Sequence, residues 1–152
     1  ILVTMGAGAA PPVRGLRPVA AVAPGVAAAT GLSLQQLAAA LVGQLHPAAV
    51  VCVDSLCSAE GQRLGRTVQF SDSGLYPAQA DHTRHLTRDT LGVPVVAAGI
   101  PTLMQAQEGA DLVVTPRALD SVIAHGAALL AGSVNRALQP RLTVQQLCWL
   151  TG

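Results

Sequence analysis

Lysine is absent from this 152-residue chain, and aromatic residues make up only 2% of it. All nine basic residues are arginine, and with eight acidic residues they give a formal net charge of +1. No block of like charge occurs, which argues against the basic surface that nucleic-acid binding requires. Apolar runs are interrupted by proline or glycine well before the ~20 residues that a membrane span needs. A basic segment followed by an apolar one is also missing at the start, so no secretory signal is expected.

Cysteine is scarce as well, and the three copies are Cys52, Cys57 and Cys148. An odd number of cysteines without a C-x-x-C pair favours reduced, buried thiols in a cytoplasmic protein. The histidines include one i,i+3 pair, His82 and His85, but no third ligand lies nearby in sequence. We therefore expect no metal and no cofactor. A nucleophilic Cys57, or a metal site that includes His46, is the alternative.

Hydrophobic residues make up 51% of the chain, and charged residues only 11%. At this length, that composition predicts one folded domain over residues 1–152. Strands are predicted over 18–23, 49–53, 67–70, 93–97 and 112–114. Helices are predicted over 33–45, 87–91, 102–106, 115–138 and 143–150. Because strands alternate with helices and the strand at 49–53 is apolar without alternation, we predict an α/β fold with a largely parallel sheet.

Local signals support several of these boundaries. Ser33 with Gln36, and Thr143 with Gln146, have the spacing of capping boxes, which satisfy free N–H groups at a helix start. Thr115 followed by Pro116 is typical of a helix N-terminus. The run from Gly99 to Pro101 predicts a break after the fourth strand.

Two acidic residues stand close to the carboxyl ends of predicted strands. Asp54 directly follows the strand at 49–53, and Asp72 follows the strand at 67–70 by one residue. In open α/β sheets the ligand lies beyond the carboxyl ends of the strands, where a carboxylate can act as general acid or base. The alternatives are that Asp54 caps a helical turn and that Asp72 belongs to an ordinary S-D-S-G turn.

A glycine- and arginine-containing segment between these acids is a candidate for ligand binding. Gly61 and Gly65 could let the backbone pass close to a ligand, and Arg63 and Arg66 could hold a carboxylate through paired hydrogen bonds. The alternative is that both arginines are solvated charges on a loop. Neither a phosphate-binding loop nor a G-x-S-x-G nucleophile motif occurs.

Five longer blocks carry a family resemblance. They are R-P-V-A-A-V-A-P-G-V at 17–26, V-V-C-V-D-S-L-C-S at 50–58, R-T-V-Q-F-S-D-S-G at 66–74, T-L-G-V-P-V-V-A-A-G-I-P-T at 90–102 and D-L-V-V-T-P-R-A-L-D at 111–120. In content and order they resemble blocks of the germination protease (spore endopeptidase) family. In the third block and just after it, Asp72, Gly74, Leu75 and Pro77 match the family's T-I-Q-I-x-D-T-G-I-x-P pattern.

The resemblance implies a three-layer α/β/α sandwich of the phosphorylase/hydrolase-like kind. It also implies an endopeptidase of the spore core, in the cytoplasm, that degrades small acid-soluble spore proteins during germination. The family is made as a zymogen, forms homotetramers and uses two carboxylates as an atypical aspartic protease without a cofactor. One of these carboxylates matches Asp54. Asp72 is then a candidate for orienting the water or contacting the substrate, with Arg63, Arg66 and Gly74 as substrate contacts.

The chain departs from the family pattern at several places. The family's other carboxylate lies in an upstream T-P-D-A-L-G-P segment, whereas no Asp or Glu precedes Asp54 here. Because the chain begins at Ile1, we expect that segment to have been removed or to belong to a separate polypeptide. The family's glycine-rich G-S-G-V-G-N is replaced by 78–81, and Ala59 stands where the family has Arg. Two alternatives follow: a catalytically silent binding or assembly subunit, and a metal-dependent maturation protease with His82 or His125 as a ligand.

Overall fold

The computed structural model describes residues 1–4, 15–25, 30–76, 85–105 and 113–151. The helices are α1 (Leu34–Leu45), α2 (Arg88–Leu91), α3 (Leu119–Leu138) and α4 (Val144–Thr151). The strands are β1 (Val50–Ser58), β2 (Gln69–Ser71), β3 (Val95–Gln105) and β4 (Val113–Val114), and a 3-10 turn covers Gly61–Arg63. Pro77, the segment 78–81 and His82 lie outside the described residues. No helix in these ranges is long and apolar enough to cross a membrane.

The chain divides into two compact units. One comprises residues 24–123, and the other combines residues 1–23 with 124–152. The sheet and the predicted site residues belong to the first unit. That the whole chain forms a single domain stays a prediction.

The sheet is mixed, and its longest strand pair is parallel. Its strand order is β1-β3-β2, and β4 pairs with β3 further along that strand. β1 and β3 are parallel, whereas β2 and β4 both run antiparallel to β3. The α/β class is therefore confirmed, and the two long strands pair in parallel as predicted, whereas the two short strands run antiparallel. The short sequence of β2 carries no signal for the direction of the strand. The alternation of strands and helices alone predicts parallel pairing for it.

Two strands are longer than the sequence predicts. β1 continues to Ser58, so Asp54 lies at its centre, and no helical turn follows for Asp54 to cap. β3 continues to Gln105, so the predicted break at Gly99–Pro101 and the helix over 102–106 are wrong. Proline is tolerated in β3 because Pro101 lies beyond the end of β2, where no ladder partner needs its missing N–H.

The core of the first unit lies on one face of the sheet. It consists of five buried residues: Leu75, Leu86, Leu91, Val95 and Ala97. Residues of α1 and β1 pack against this cluster: Leu34, Ala38, Val42, Val50, Cys52 and Leu56. The predicted capping box of α1 is confirmed, because Ser33 Oγ accepts the Gln36 N–H at 3.2 Å and Gln36 Oε1 accepts the Ser33 N–H at 2.9 Å.

The second unit joins its two sequence segments through side-chain amides. Gln139 Oε1 accepts the Arg17 N–H and Gln139 Nε2 donates to the Arg17 carbonyl oxygen, both at 2.8 Å. Asn135 Oδ1 accepts the Leu2 N–H at 2.8 Å. The Thr143 capping box is confirmed, whereas the strand predicted over 18–23 does not form and α3 begins at Leu119 rather than at 115.

Candidate active site

Asp54 lies on the covered side of the sheet and yet is exposed. Side chains alternate along a strand, so Asp54 shares a face with Cys52 and Leu56, which pack against the core. Both of those neighbours are half-buried, whereas the Asp54 side chain is open to solvent. A carboxylate at this place borders apolar packing on its own strand and remains accessible to a substrate or water.

The Asp54 carboxylate is held by its own backbone. Oδ1 accepts the N–H of Ser55 at 2.7 Å. The Val50 N–H donates to the Pro94 carbonyl of the neighbouring segment, and in a parallel pair every second residue faces the partner strand. Ser55 is therefore out of phase with that ladder, and its N–H faces away from β3. Among the described residues, β1 is the outer strand of the sheet, so the carboxylate lies at the outer edge of β1.

Gly99 allows β3 to approach the Asp54 segment closely. The two residues are register partners in the parallel pair. A Cβ added to Gly99 would collide with the Asp54 carbonyl oxygen and would lie 2.7 Å from Leu56 Cγ. Only a hydrogen atom fits at this point, so the backbone that carries Asp54 rests directly against β3.

A hydroxyl pair lies next to Asp54. The Ser55 and Thr102 side chains are hydrogen-bonded to each other, and Thr102 is only 5% exposed. The register passes from Leu56↔Pro101 to Cys57↔Leu103, which leaves Thr102 as the extra residue of a β-bulge. Bulges are found beside active sites, where they redirect a side chain.

The pKa of Cys52 is affected by its position next to Asp54 and the core. Burial raises the pKa of the Cys52 thiol, and the negative charge of Asp54 raises that pKa further. Cys57 and Cys148 are exposed, so the prediction that the cysteines are buried is wrong for both, and all three are free thiols. The raised pKa keeps Cys52 protonated, which makes it a poor nucleophile.

Asp72 lies at the opposite end of the sheet from the carboxyl end of β1. Gln69 and Asp54 flank Gly99 in one row, and Asp72 follows Gln69 by three residues on an antiparallel strand. Strand spacing and rise then put the Asp54 and Asp72 Cα atoms on the order of 14 Å apart. Asp72 is exposed, while the turn around it is closed by Ser71 and Ser73, whose hydroxyls are 2.6 Å apart. The structure thus does not bring the two predicted acids together.

The two arginines differ in their surroundings. Arg63 Nε donates to Glu60 Oε2 at 3.0 Å, and both side chains are largely exposed, so this ion pair is weak. Arg66 makes no side-chain hydrogen bond within the described part of the chain. Gly65, between them, has a positive φ of 67° and donates its N–H to the Pro101 carbonyl at 2.6 Å. This contact fixes the loop beside the carboxyl half of β3.

Gly74 has a conformational role in the structure. It is buried, its φ is +108°, and the Leu86 carbonyl oxygen occupies the place where a Cβ would stand. The next residue, Leu75, exchanges two backbone hydrogen bonds with Leu86, at 2.9 and 3.0 Å. Gly74 therefore lets two segments of the core meet, and its contact with substrate stays a prediction.

No group of three His, Cys, Asp or Glu residues that could hold a metal ion exists within the ranges the structure describes. His125 belongs to those ranges, whereas His82 does not. No buried side-chain nitrogen or oxygen of the described residues lacks a partner.

Sequence reasoning missed three residues that contact the Asp54 segment. The sequence predicts a chain break at Gly99, although an isolated glycine inside a strand pattern also indicates a close backbone approach. Ser55 and Thr102 carry no motif, and their pairing depends on a bulge that the sequence does not announce. Ser55 bonds Asp54 directly, Gly99 is the register partner of Asp54, and Thr102 bonds Ser55.

A family model and several known proteins that resemble this chain share one description. A family model described as germination protease matches residues 11–108. A germination protease of Clostridium perfringens is 28% identical over 87% of this chain and 55% of its own length. One from Halalkalibacterium halodurans is 37% identical over 74% of this chain and 29% of its own length. One from Bacillus licheniformis is 33% identical over 84% of this chain and 34% of its own length.

The matches cover only part of each relative, but they include the candidate site. The chain spans about half of the first relative's length and about a third of the other two. All five predicted site residues, and Ser55, Gly99 and Thr102 as well, fall inside the segment matched by the family model.

Proposed function

The chain belongs to the germination protease family, and we propose on that basis that the protein carrying it is an endopeptidase. Its proposed substrates are small acid-soluble spore proteins, which it degrades in the spore core during germination. The observation that carries the proposal is the exposed Asp54 carboxylate at the outer edge of β1, inside the segment that the family model matches.

We propose an aspartic-type mechanism with Asp54 as the general base. Two carboxyl groups that share one site do not both ionise easily, so one accepts a proton while the other donates one. Asp54 would take a proton from water as the water oxygen attacks the scissile carbonyl carbon, and the partner acid would protonate the carbonyl oxygen. When the C–N bond breaks, the proton held by Asp54 passes to the leaving amine, and one hydroxyl of the intermediate returns its proton to the partner carboxylate as the new carboxyl group forms. The balance is one water consumed for each peptide bond.

The partner carboxylate is proposed to come from polypeptide outside this chain. No acidic residue precedes Asp54, and Asp72 is on the order of 14 Å away by strand geometry. The outer edge of β1 is unpaired among the described residues, and the Asp54 carboxylate lies at that edge. A segment placed beside β1 could therefore bring a second carboxyl group to Asp54.

The remaining predicted residues are proposed as substrate contacts. Arg66, whose side chain is unpaired in the described part of the chain, would bind an acidic group of the substrate, and Arg63 would join it after leaving Glu60. Asp72 and Gly74 would contact the substrate farther from the scissile bond. Asp72 is too distant from Asp54 to share a water with it, so its proposed role is substrate contact.

The architecture of the whole protein is also a proposal. We propose that the mixed sheet becomes the middle layer of a three-layer α/β/α sandwich of the phosphorylase/hydrolase-like kind. Val53 and Phe70 support this, because they are exposed on the face of the sheet opposite the core. A homotetramer made as a zymogen is proposed from family membership alone.

A catalytically silent subunit is the second candidate. It is favoured by one observation, namely that strand geometry puts Asp72, the other predicted acid, on the order of 14 Å from Asp54. Such a subunit would bind an intact spore protein without cleaving it. The two candidates therefore differ in product formation and not in binding.

The experiment is cleavage of a purified small acid-soluble spore protein by the whole protein, with products identified by mass spectrometry. The proposal predicts defined peptides from the parent protein and none from Asp54→Asn. Asp89→Asn is the matched control, because Asp89 is an exposed carboxylate on α2 for which no role in cleavage is proposed, and this variant should cleave like the parent. Binding without products from the parent would instead support the silent subunit.

A further inference from the structure

Thr102 and Asp54 are connected by a short chain of hydrogen bonds. The Thr102 hydroxyl bonds the Ser55 hydroxyl, and the Ser55 N–H donates to Asp54 Oδ1 at 2.7 Å. Asp54 and Ser55 are both exposed, whereas Thr102 is almost fully buried in β3. An exposed strand segment is thus tied to a fixed point inside the sheet.

The β-bulge makes this connection available. Ser55 pairs in register with Ile100, and Thr102 is the residue that the register skips. Thr102 lies two positions beyond Ile100 and so points to the same face as Ser55. The Thr102 side chain is therefore on the side of the sheet where Ser55 lies.

Burial makes the hydroxyl pair important for Thr102. A buried hydroxyl group needs a hydrogen-bond partner, and Ser55 Oγ is the partner that the described residues provide for Thr102. Either oxygen of the pair can be the donor. The contact ties the Ser55 side chain to β3, while the Ser55 N–H holds the Asp54 carboxylate.

We propose that Thr102 is a positioning residue for Asp54 and acts through Ser55. The inference rests on the proposed function, because positioning matters only if Asp54 reacts. A general base contributes to the rate only when its oxygen is aligned with the attacking water. Thr102 would therefore affect turnover without touching the substrate.

The test compares Thr102→Val, which removes the hydroxyl at nearly constant volume, with Thr102→Ser, which retains it. In the cleavage assay, Thr102→Val should lower kcat roughly 10- to 100-fold with KM unchanged, and Thr102→Ser should restore most of the loss. Ser55→Ala should lower kcat similarly, and the double variant should lose no more than either single variant. Thr151→Val is the control, because it deletes a hydroxyl on α4.

A second readout does not depend on activity. Amide hydrogen exchange at Ser55 should be about tenfold faster in Thr102→Val, because the hydrogen bond from the Ser55 N–H to the Asp54 carboxylate is weakened. Exchange at Val95 in the same sheet should not change, and this separates positioning from general destabilisation.

The outcomes are distinct. Parent-like kcat in Thr102→Val, equal losses in Thr102→Val and Thr102→Ser, or unchanged exchange at Ser55 would each overturn the positioning role. If the parent protein cleaves nothing but Ser55 exchange still accelerates, the proposed function fails while the structural link between Thr102 and Asp54 holds.

Discussion

Gly99 lies directly opposite Asp54 in the parallel pairing of β1 with β3, and a side chain at Gly99 would run into the Asp54 carbonyl oxygen. The hydrogen atom of this glycine is what allows the two strands to close at the row of the candidate base. The relationship links the stability of the sheet to the position of Asp54.

Gly99→Ala should therefore destabilise the protein and impair the site together. Forcing a methyl group into packed backbone typically costs about 2 kcal/mol, and the relief available here is to move β1 with Asp54. Chemical denaturation should show that loss. Gly43→Ala is the control, because Gly43 lies in α1 with open space around it, and there alanine should stabilise by up to about 1 kcal/mol. Equal stabilities of Gly99→Ala and the parent would refute the close approach.

Asp72→Asn should leave the chemical step nearly intact. The antiparallel direction of β2 places Asp72 far along the sheet from Asp54, so the two groups do not share a water. Steady-state kinetics on a spore-protein substrate should show a change in KM with little change in kcat. A loss of kcat as large as that of Asp54→Asn would mean that the two carboxylates meet after all.

Cys52 should react more slowly with thiol reagents than the two exposed cysteines. Its raised pKa lowers the thiolate fraction, so we expect slower alkylation of Cys52 at about pH 8, measured by peptide mass spectrometry. Asp54→Asn should speed this reaction, because it removes the charge contribution but leaves burial. Unchanged Cys52 reactivity in that variant would contradict the proximity of the two side chains.

The same raised pKa has a consequence for stability. The folded protein holds the Cys52 proton more tightly than the unfolded chain does. The stabilising contribution is therefore complete below the ordinary thiol pKa and is lost as pH rises through the raised value. Cys52→Ala should make unfolding free energy less dependent on pH in the alkaline range.

The Gln139 side chain should be important for the second compact unit. Its carboxamide pairs with both backbone groups of Arg17, and it is buried. Gln139→Leu keeps the bulk but leaves an N–H and a carbonyl without their partner, at a cost of about 2 kcal/mol. Amide exchange at Arg17 and thermal unfolding would measure it. If the Arg17 amide is protected from exchange as well as in the parent, the two Gln139 hydrogen bonds contribute little to stability.

Sequence reasoning predicted the elements whose signals are local. The Ser33 and Thr143 capping boxes each depend on residues three apart, and both form. Asp54 was identified because the family pattern and its strand coincide, although the strand extends to Ser58.

Features that depend on distant pairing were not predictable. The direction of β2 is set by its pairing with β3, and the sequence of a three-residue strand carries no information about that direction. Likewise, glycine and proline usually interrupt a strand, but Gly99 and Pro101 lie within β3. A side chain at Gly99 would collide with β1, and the Pro101 carbonyl accepts the Gly65 N–H. The Ser55–Thr102 contact follows from a bulge, which only the register reveals.

The most direct test of the account is the single-turnover rate of Asp54→Asn on a bound small acid-soluble spore protein, measured in the whole protein beside its substrate affinity. If Asp54 is the general base, substrate affinity should be retained while the cleavage rate falls by about 10³-fold. A cleavage rate equal to that of the parent protein would show that Asp54 takes no part in the reaction.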